Sequence, residues 1–185
     1  MTPWLEFKNK WKDCDKCPLC NTRDKIVLAK GKIPCDVLFV GEAPGVSEDI
    51  LGIPFVGPAG KLLDDWIETA LDIPNSDTLN LPPRMAFTNL VCCIPLGDDG
   101  QKTNEPDKKD IKACNPRLVE FIKLCKPQHI VCVGKLAFKH CPRIDGIGYT
   151  EIVHPAAVLR AEVGQQGLLI QRSVVILQDL FEELT

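Results

Sequence analysis

Four short apolar runs, DVLFV (36–40), AFTNLVC (86–92), QHIVCV (128–133) and the stretch 149–153, are separated by helical periodicity or by Gly/Pro breakers. Strands apolar along their whole length need burial on both faces, as in a parallel sheet covered by helices. Leu62, Leu63, Trp66, Ile67, Ala70 and Leu71 mark one face of a helix, with Pro58 near its start. Asn115 and Pro116 read as an N-cap and first-turn pair opening the helix PRLVEFIKLC. Trp4, Phe7 and Trp11 make a shorter stripe near the N-terminus, residues 41–57 read as a Gly/Pro-rich loop, and 168–180 fits a strand or a helix equally. The pattern predicts α/β architecture: a single domain over residues 1–185, three-layer α/β/α, with a central mainly parallel sheet.

Sheets of this kind gather their ligands at the carboxyl ends of the strands. Those ends carry Gly41-Glu42-Ala43-Pro44-Gly45, Asn89 and His154-Pro155. The GEAPG turn has neither a GxGxxG spacing nor a Lys-Ser/Thr ending, so it is no standard phosphate loop, although its backbone amides could hold a base or a phosphate.

No apolar run approaches the ~20 residues needed to span a bilayer, and MTPWLEFKNKWKD is unlike a signal peptide. The expectation is a soluble, intracellular protein, and in a reducing compartment ten cysteines are not five disulfides. Cys14 and Cys17 stand as C-x2-C, Cys20 extends the run, and Cys93 and Cys114 bracket 20 residues further on. Four such thiolates suit a tetrahedral zinc ion or an iron-sulfur cluster, and spacing alone leaves both open, with Cys20 able to replace a ligand. Cys35, Cys92, Cys125, Cys132 and Cys141 read as small buried hydrophobes.

The net charge of −3 argues weakly against a nucleic-acid partner. It is unevenly spread: residues 1–34 carry +4 and 126–160 carry +3, against −7 for 35–125 and −3 for 161–185. Two basic segments could form one patch if the fold brings them together.

CDKCPLCNTR (14–23), GEAPGVSED (41–49), PFVGPAGKLLD (54–64), TNLVCCIP (88–95), the region around Cys114 and HPAAVLR (154–160) follow one another in the order found in the family 4 uracil-DNA glycosylases, which this chain resembles. The resemblance implies a 4Fe-4S cluster on Cys14, Cys17, Cys93 and Cys114, and a monofunctional enzyme that flips uracil out of DNA and hydrolyses its N-glycosidic bond. It implies uracil-containing DNA, single- or double-stranded, as partner, a monomer, and a cytoplasmic location on the nucleoid when DNA is bound. No lysine nucleophile is recognisable at the strand ends, so lyase chemistry is not expected.

The chemistry can be argued on the same residues. Cleavage requires a flipped nucleotide, a stabilised cationic sugar and a stabilised anionic base. Phe55 offers a stacking face, and Asn89 can accept from uracil N3–H and donate to O4, a pattern that cytosine reverses. His154 suits a hydrogen bond to the charge developing on uracil O2. Gly41, Glu42 and Ala43 complete the expected uracil site, with Glu42 a second catalytic candidate that orders water or steadies the sugar. Leu159 would fill the vacated stack and Arg160 would meet phosphate. The resemblance places Ala43 where other uracil-DNA glycosylases carry a water-positioning Asp, which leaves that task to Glu42 or to no side chain. Gly45 stands where those enzymes carry an aromatic that rejects thymine. The loop 95–106 (PLGDDGQKTNEP) is acidic and unlike the family's usual one. The alternative reading is a catalytically altered member that binds DNA or a modified base, and a third is a zinc-stabilised nucleotide-binding domain.

Overall fold

The computed structural model describes residues 1–71, 83–97 and 103–184. Its centre is one five-stranded sheet built from β1 (Lys30–Gly31), β2 (Val37–Gly41), β3 (Met85–Asn89), β4 (His129–Val133) and β5 (Gly148–Ile152), in the order β1-β3-β2-β4-β5. All pairings are parallel except that of the short edge strand β1 with β3.

The pleat explains why the strands read as unbroken apolar runs. Leu38, Val40, Ala86, Ile130 and Cys132 face one core, against Phe7 and Trp11 of α1 (Pro3–Trp11) and Leu118, Phe121 and Ile122 of α4 (Lys108–Cys125). Val37, Phe39, Phe87, Val131 and Val133 face the other, against α3 (Pro58–Leu71) and α7 (Val163–Leu184). Each large side chain buried this way contributes roughly 1.5–3 kcal/mol. The three-layer α/β/α arrangement expected from the sequence is therefore present.

Several local expectations are corrected. Residues 41–57 are not all loop, because α2 (Val46–Leu51) forms within them, started at Gly45 and closed by Gly52 at φ 75°. The helix expected to open at Asn115-Pro116 begins a full two turns earlier, with Asp107 as its N-cap and Pro116 inside it. Ile111 lies buried on the same face as Leu118, Phe121 and Ile122, and this longer stripe outweighs the backbone hydrogen bond that Pro116 cannot donate. The second strand ends at Asn89 rather than Cys92, since Leu90 N–H and Val91 N–H turn back to the carbonyls of Gly41 and Glu42. The ambiguous 168–180 stretch is the middle of α7, with Ser173, Val174, Leu177, Leu180 and Phe181 buried at helical spacing. Two further short helices, α5 (Lys135–His140) and α6 (Pro155–Arg160), follow β4 and β5 directly.

β2 sends its connection to β3 on one side, and the chain then returns across to β4 on the other. The carboxyl end of β2 is thus a switch point, where helices and loops diverge and a crevice opens.

Candidate active site

A cleft of about 1030 Å³ lies over these strand ends. Of the residues singled out in the sequence, Glu42, Ala43, Phe55, Asn89, His154 and Arg160 line it. Gly41 lies beneath the floor, while Leu159 sits outside the lining and is half exposed at 50%.

Gly41 is the point on which Asn89 and Phe55 converge. A Cβ there would run into Asn89 Oδ1 and stand 2.6 Å from the Phe55 ring, so a hydrogen is all the site can hold. Phe55 has φ 54°, a left-handed conformation that costs an aromatic residue roughly 1–3 kcal/mol unless its surroundings impose it. They do: Lys30 Nζ donates to the Phe55 carbonyl at 2.8 Å, and Gly60 lets α3 pack directly on the Phe55 backbone, where a Cβ would clash. Phe87 meets the Phe55 ring at 5.9 Å and 60°.

The carboxylate of Glu48 joins the two halves of this wall. It accepts from Gly45 N–H at 3.1 Å, Val56 N–H at 2.9 Å and Gly57 N–H at 2.7 Å. Its neighbour Asp49 accepts from Asp24 N–H at 2.9 Å, which ties the N-terminal segment to the same helix.

His154 is the N-cap of α6, and its Nδ1 accepts from Ala156 N–H at 3.1 Å. An Nδ1 that accepts leaves the ring proton of the neutral imidazole on Nε2, as a donor. Burial, aided by the charge of Arg160, holds this histidine down to about 4. It is therefore neutral at pH 7. Glu42 stands across from it, with Gly134 at φ 97° between them; a Cβ on that glycine would lie 2.7 Å from Glu42 Oε1 and 3.1 Å from His154 Cβ.

Burial pushes the Glu42 carboxyl above its ordinary value, Glu105 pushes it further, and Arg160 opposes both. Glu105 comes from the acidic 95–106 stretch, whose residues 98–102 lie outside the described residues. The ends of that stretch close on each other through Asn104 N–H to the Pro95 carbonyl at 2.8 Å, which brings Thr103, Asn104, Glu105 and Pro106 into the cleft wall. Glu105→Gln should lower the acid limb of any Glu42-dependent rate, since the neutral amide removes one of the influences raising the Glu42 carboxyl. A pH–rate profile of the variant checks this, and an acid limb shifted upward or unmoved would count against the pairing.

A second, smaller cavity is lined by Cys14, Cys17, Cys93 and Cys114, together with Cys92, Arg23 and Arg117. Among the described residues no three His, Cys, Asp or Glu side chains are drawn into a single-ion site. The thiols instead stand around a shared space, and two guanidinium groups donate to them: Arg23 Nη1 to Cys93 Sγ at 3.0 Å and Arg117 Nη2 to Cys114 Sγ at 3.7 Å. A hydrogen bond from Cys92, and then the Arg117 charge, lower the Cys114 thiol against the effect of burial. Burial takes Cys93 up to about 11, opposed by Arg23. Cys20 lies outside this lining, 3.5 Å from Asn21 Oδ1. Cys92, expected to be a core residue, is buried but also borders the cavity.

Sequence reasoning missed Glu48, Glu105, Gly134 and Arg117, and also Lys135 and Arg172, which line the cleft. The acidic pair at 48 and 49 and the position of Arg117 three residues after Cys114 were the available signals.

The sequence model of the uracil DNA glycosylase superfamily matches residues 29–176. The chain is 37% identical over 135 residues to the type-4 uracil-DNA glycosylase of Pyrobaculum aerophilum, covering 73% of this chain and 62% of that protein. To the one from Saccharolobus solfataricus it is 37% identical over 122 residues, 66% of this chain and 51% of that protein. The chain thus spans between about half and three fifths of the length of these two relatives. Against the type-4 enzyme of Archaeoglobus fulgidus the identity is 31% over 168 residues, covering 79% of this chain and 78% of that protein. The chain belongs to the uracil DNA glycosylase superfamily, within its type-4 family.

Proposed function

We propose that this chain is a monofunctional uracil-DNA glycosylase acting as one domain over residues 1–185, in the cytoplasm and on the nucleoid. The observation that carries the reading is the convergence of a stacking ring, a base-reading amide and a neutral, Nε2-protonated histidine on one cleft. Phe55 supports the flipped uracil, worth roughly 1–3 kcal/mol for a single-base platform. Asn89 reads N3–H and O4. The N-glycosidic bond breaks with both electrons leaving on uracil, and His154 Nε2–H donates to the O2 on which that charge collects. Glu42 faces the cationic sugar and accepts the proton of the water that adds to C1′. Uracil and an abasic site are the products. Arg160 meets a phosphate and Leu159, exposed beside it, fills the emptied stack.

The fit of Cys14, Cys17, Cys93 and Cys114 around one cavity, with guanidinium donors on two of the sulfurs, supports a 4Fe-4S cluster there. When bound, the cluster supplies iron–thiolate bonds that tie the N-terminal segment to α4 and to the turn after β3.

No lysine nucleophile was recognised in the sequence, yet Lys135, two residues after β4, lies exposed on the cleft rim. The monofunctional reading is tested by incubating the protein with a U:G duplex and borohydride. Uracil release with an unbroken abasic strand and no trapped adduct is expected. A borohydride-trapped protein–DNA adduct that disappears in Lys135→Ala would make it a lyase.

A further inference from the structure

Arg117 is one of the largest fully buried side chains, 1% exposed, and among the described residues no carboxylate forms a salt bridge with it. A buried guanidinium is unfavourable unless its charge and its donors are answered. Its donors are answered on two sides. One nitrogen, Nη2, reaches the Asn89 carbonyl at 2.6 Å, the Leu90 carbonyl at 3.1 Å and Cys114 Sγ at 3.7 Å. The other, Nη1, donates at 2.7 Å to Thr88 Oγ1, which passes its own proton to the Leu28 carbonyl at 2.7 Å. Among the described residues the remaining Nε has no hydrogen-bond partner. Arg117 lines the same cavity as Cys92, Cys93 and Cys114.

One rigid fork therefore spans two sites. On one side is the sulfur cavity, where Cys114 Sγ accepts from the guanidinium. On the other is the peptide turn that carries Asn89 and that also donates to the end of β2, Leu90 N–H to the Gly41 carbonyl at 2.9 Å and Val91 N–H to the Glu42 carbonyl at 3.2 Å. Lysine cannot reproduce this, because it offers a point charge rather than a planar fork.

We propose that Arg117 is a positioning residue that couples the sulfur site to the base-reading turn, so that a displacement of Cys114 at the sulfur site is passed through the guanidinium to the placement of Asn89. The inference rests on the uracil-excising function proposed above. Coupling between two sites is reciprocal, so occupation of the base pocket must be felt at the sulfurs.

The test uses the whole coloured protein. Arg117→Lys should keep visible absorption per mole of protein near wild type, yet lower kcat for uracil release about tenfold to a hundredfold with KM for the DNA within a few-fold, as misplacement of a reading group does. Thr88→Val, which removes the acceptor on Nη1 without touching a sulfur, should lower kcat in the same direction by a smaller factor. Saturating free uracil should perturb the visible circular dichroism of the wild-type protein, and that perturbation should vanish in Arg117→Lys. Where Arg117→Lys fails to fold, Thr88→Val and the wild-type dichroism decide. A wild-type kcat per coloured molecule in the folded variants, or a uracil response that survives Arg117→Lys, overturns the coupling. If the wild-type protein releases no uracil, the functional reading is what fails, and the dichroism response to free uracil then decides on Arg117 by itself.

Discussion

His154→Ala should lower kcat for uracil release by about 10²–10³-fold, the loss typical of one preorganised donor at a developing oxyanion, with little change in KM because the donor matters most as charge reaches O2. The histidine's environment makes a second, independent expectation. Burial and then Arg160 hold it down to about 4, whereas the unfolded chain titrates near 6.5. Between those values the unfolded state binds a proton that the folded state refuses. The stabilisation is therefore complete above about pH 6.5 and is lost progressively as pH falls toward 4. Protonation of Nδ1 would also remove the acceptor for Ala156 N–H and so uncap α6. Acid unfolding followed by circular dichroism should thus begin at lower pH in His154→Gln than in the wild type. An identical acid transition would mean that the histidine is not held neutral by the fold.

Cys93→Ala and Cys14→Ala should each bleach the brown protein and lower its melting temperature by about 10 °C. Joining residue 14 to residue 93 closes a chain loop of several tens of residues, a constraint worth about 4 kcal/mol, and in a chain of this size each kcal/mol moves the midpoint by roughly 2–4 °C. Cys20→Ala should leave colour and melting temperature unchanged, since Cys20 is outside the cavity lined by the other four. Visible absorption and differential scanning calorimetry of the three variants check both halves. A brown, stable Cys93→Ala or a bleached Cys20→Ala would show that the ligand set is wrong.

Much of this molecule was legible because strand burial and strand-end chemistry are local in sequence. Asp36 to Val40 reads as a two-sided buried strand, one residue out of step with β2 at each end, and Glu42 and Ala43 follow at once in the turn that the switch point places in the cleft. His154 is legible for a related reason: it sits between a strand and a proline-started helix, where one residue can both cap the helix and face the crevice. Pro116 misled because proline is a good first-turn signal locally, whereas the start of α4 is decided by burial of Ile111 a turn earlier. Glu105 left no signal in the sequence, and Arg117 left only its spacing from Cys114. The first reaches Glu42 only because Asn104 and Pro95 close the stretch between them. The second matters only because α4 crosses the end of β3, and no periodicity in the sequence records that approach.

The two basic segments also find a use in the fold. Arg23, from the first, stands at the sulfur cavity, while Lys135 and Arg160, from the second, line the cleft. A net charge of −3 is thus compatible with positive side chains gathered at the cleft.

Uracil excision is measured without interference from product release by single-turnover assay, with excess purified brown protein, on a single-stranded oligonucleotide and on a U:G duplex. One equivalent of free uracil and one abasic site per strand are expected, at a rate that falls at least a hundredfold in His154→Ala. No uracil released from either substrate at micromolar protein would contradict the proposed function.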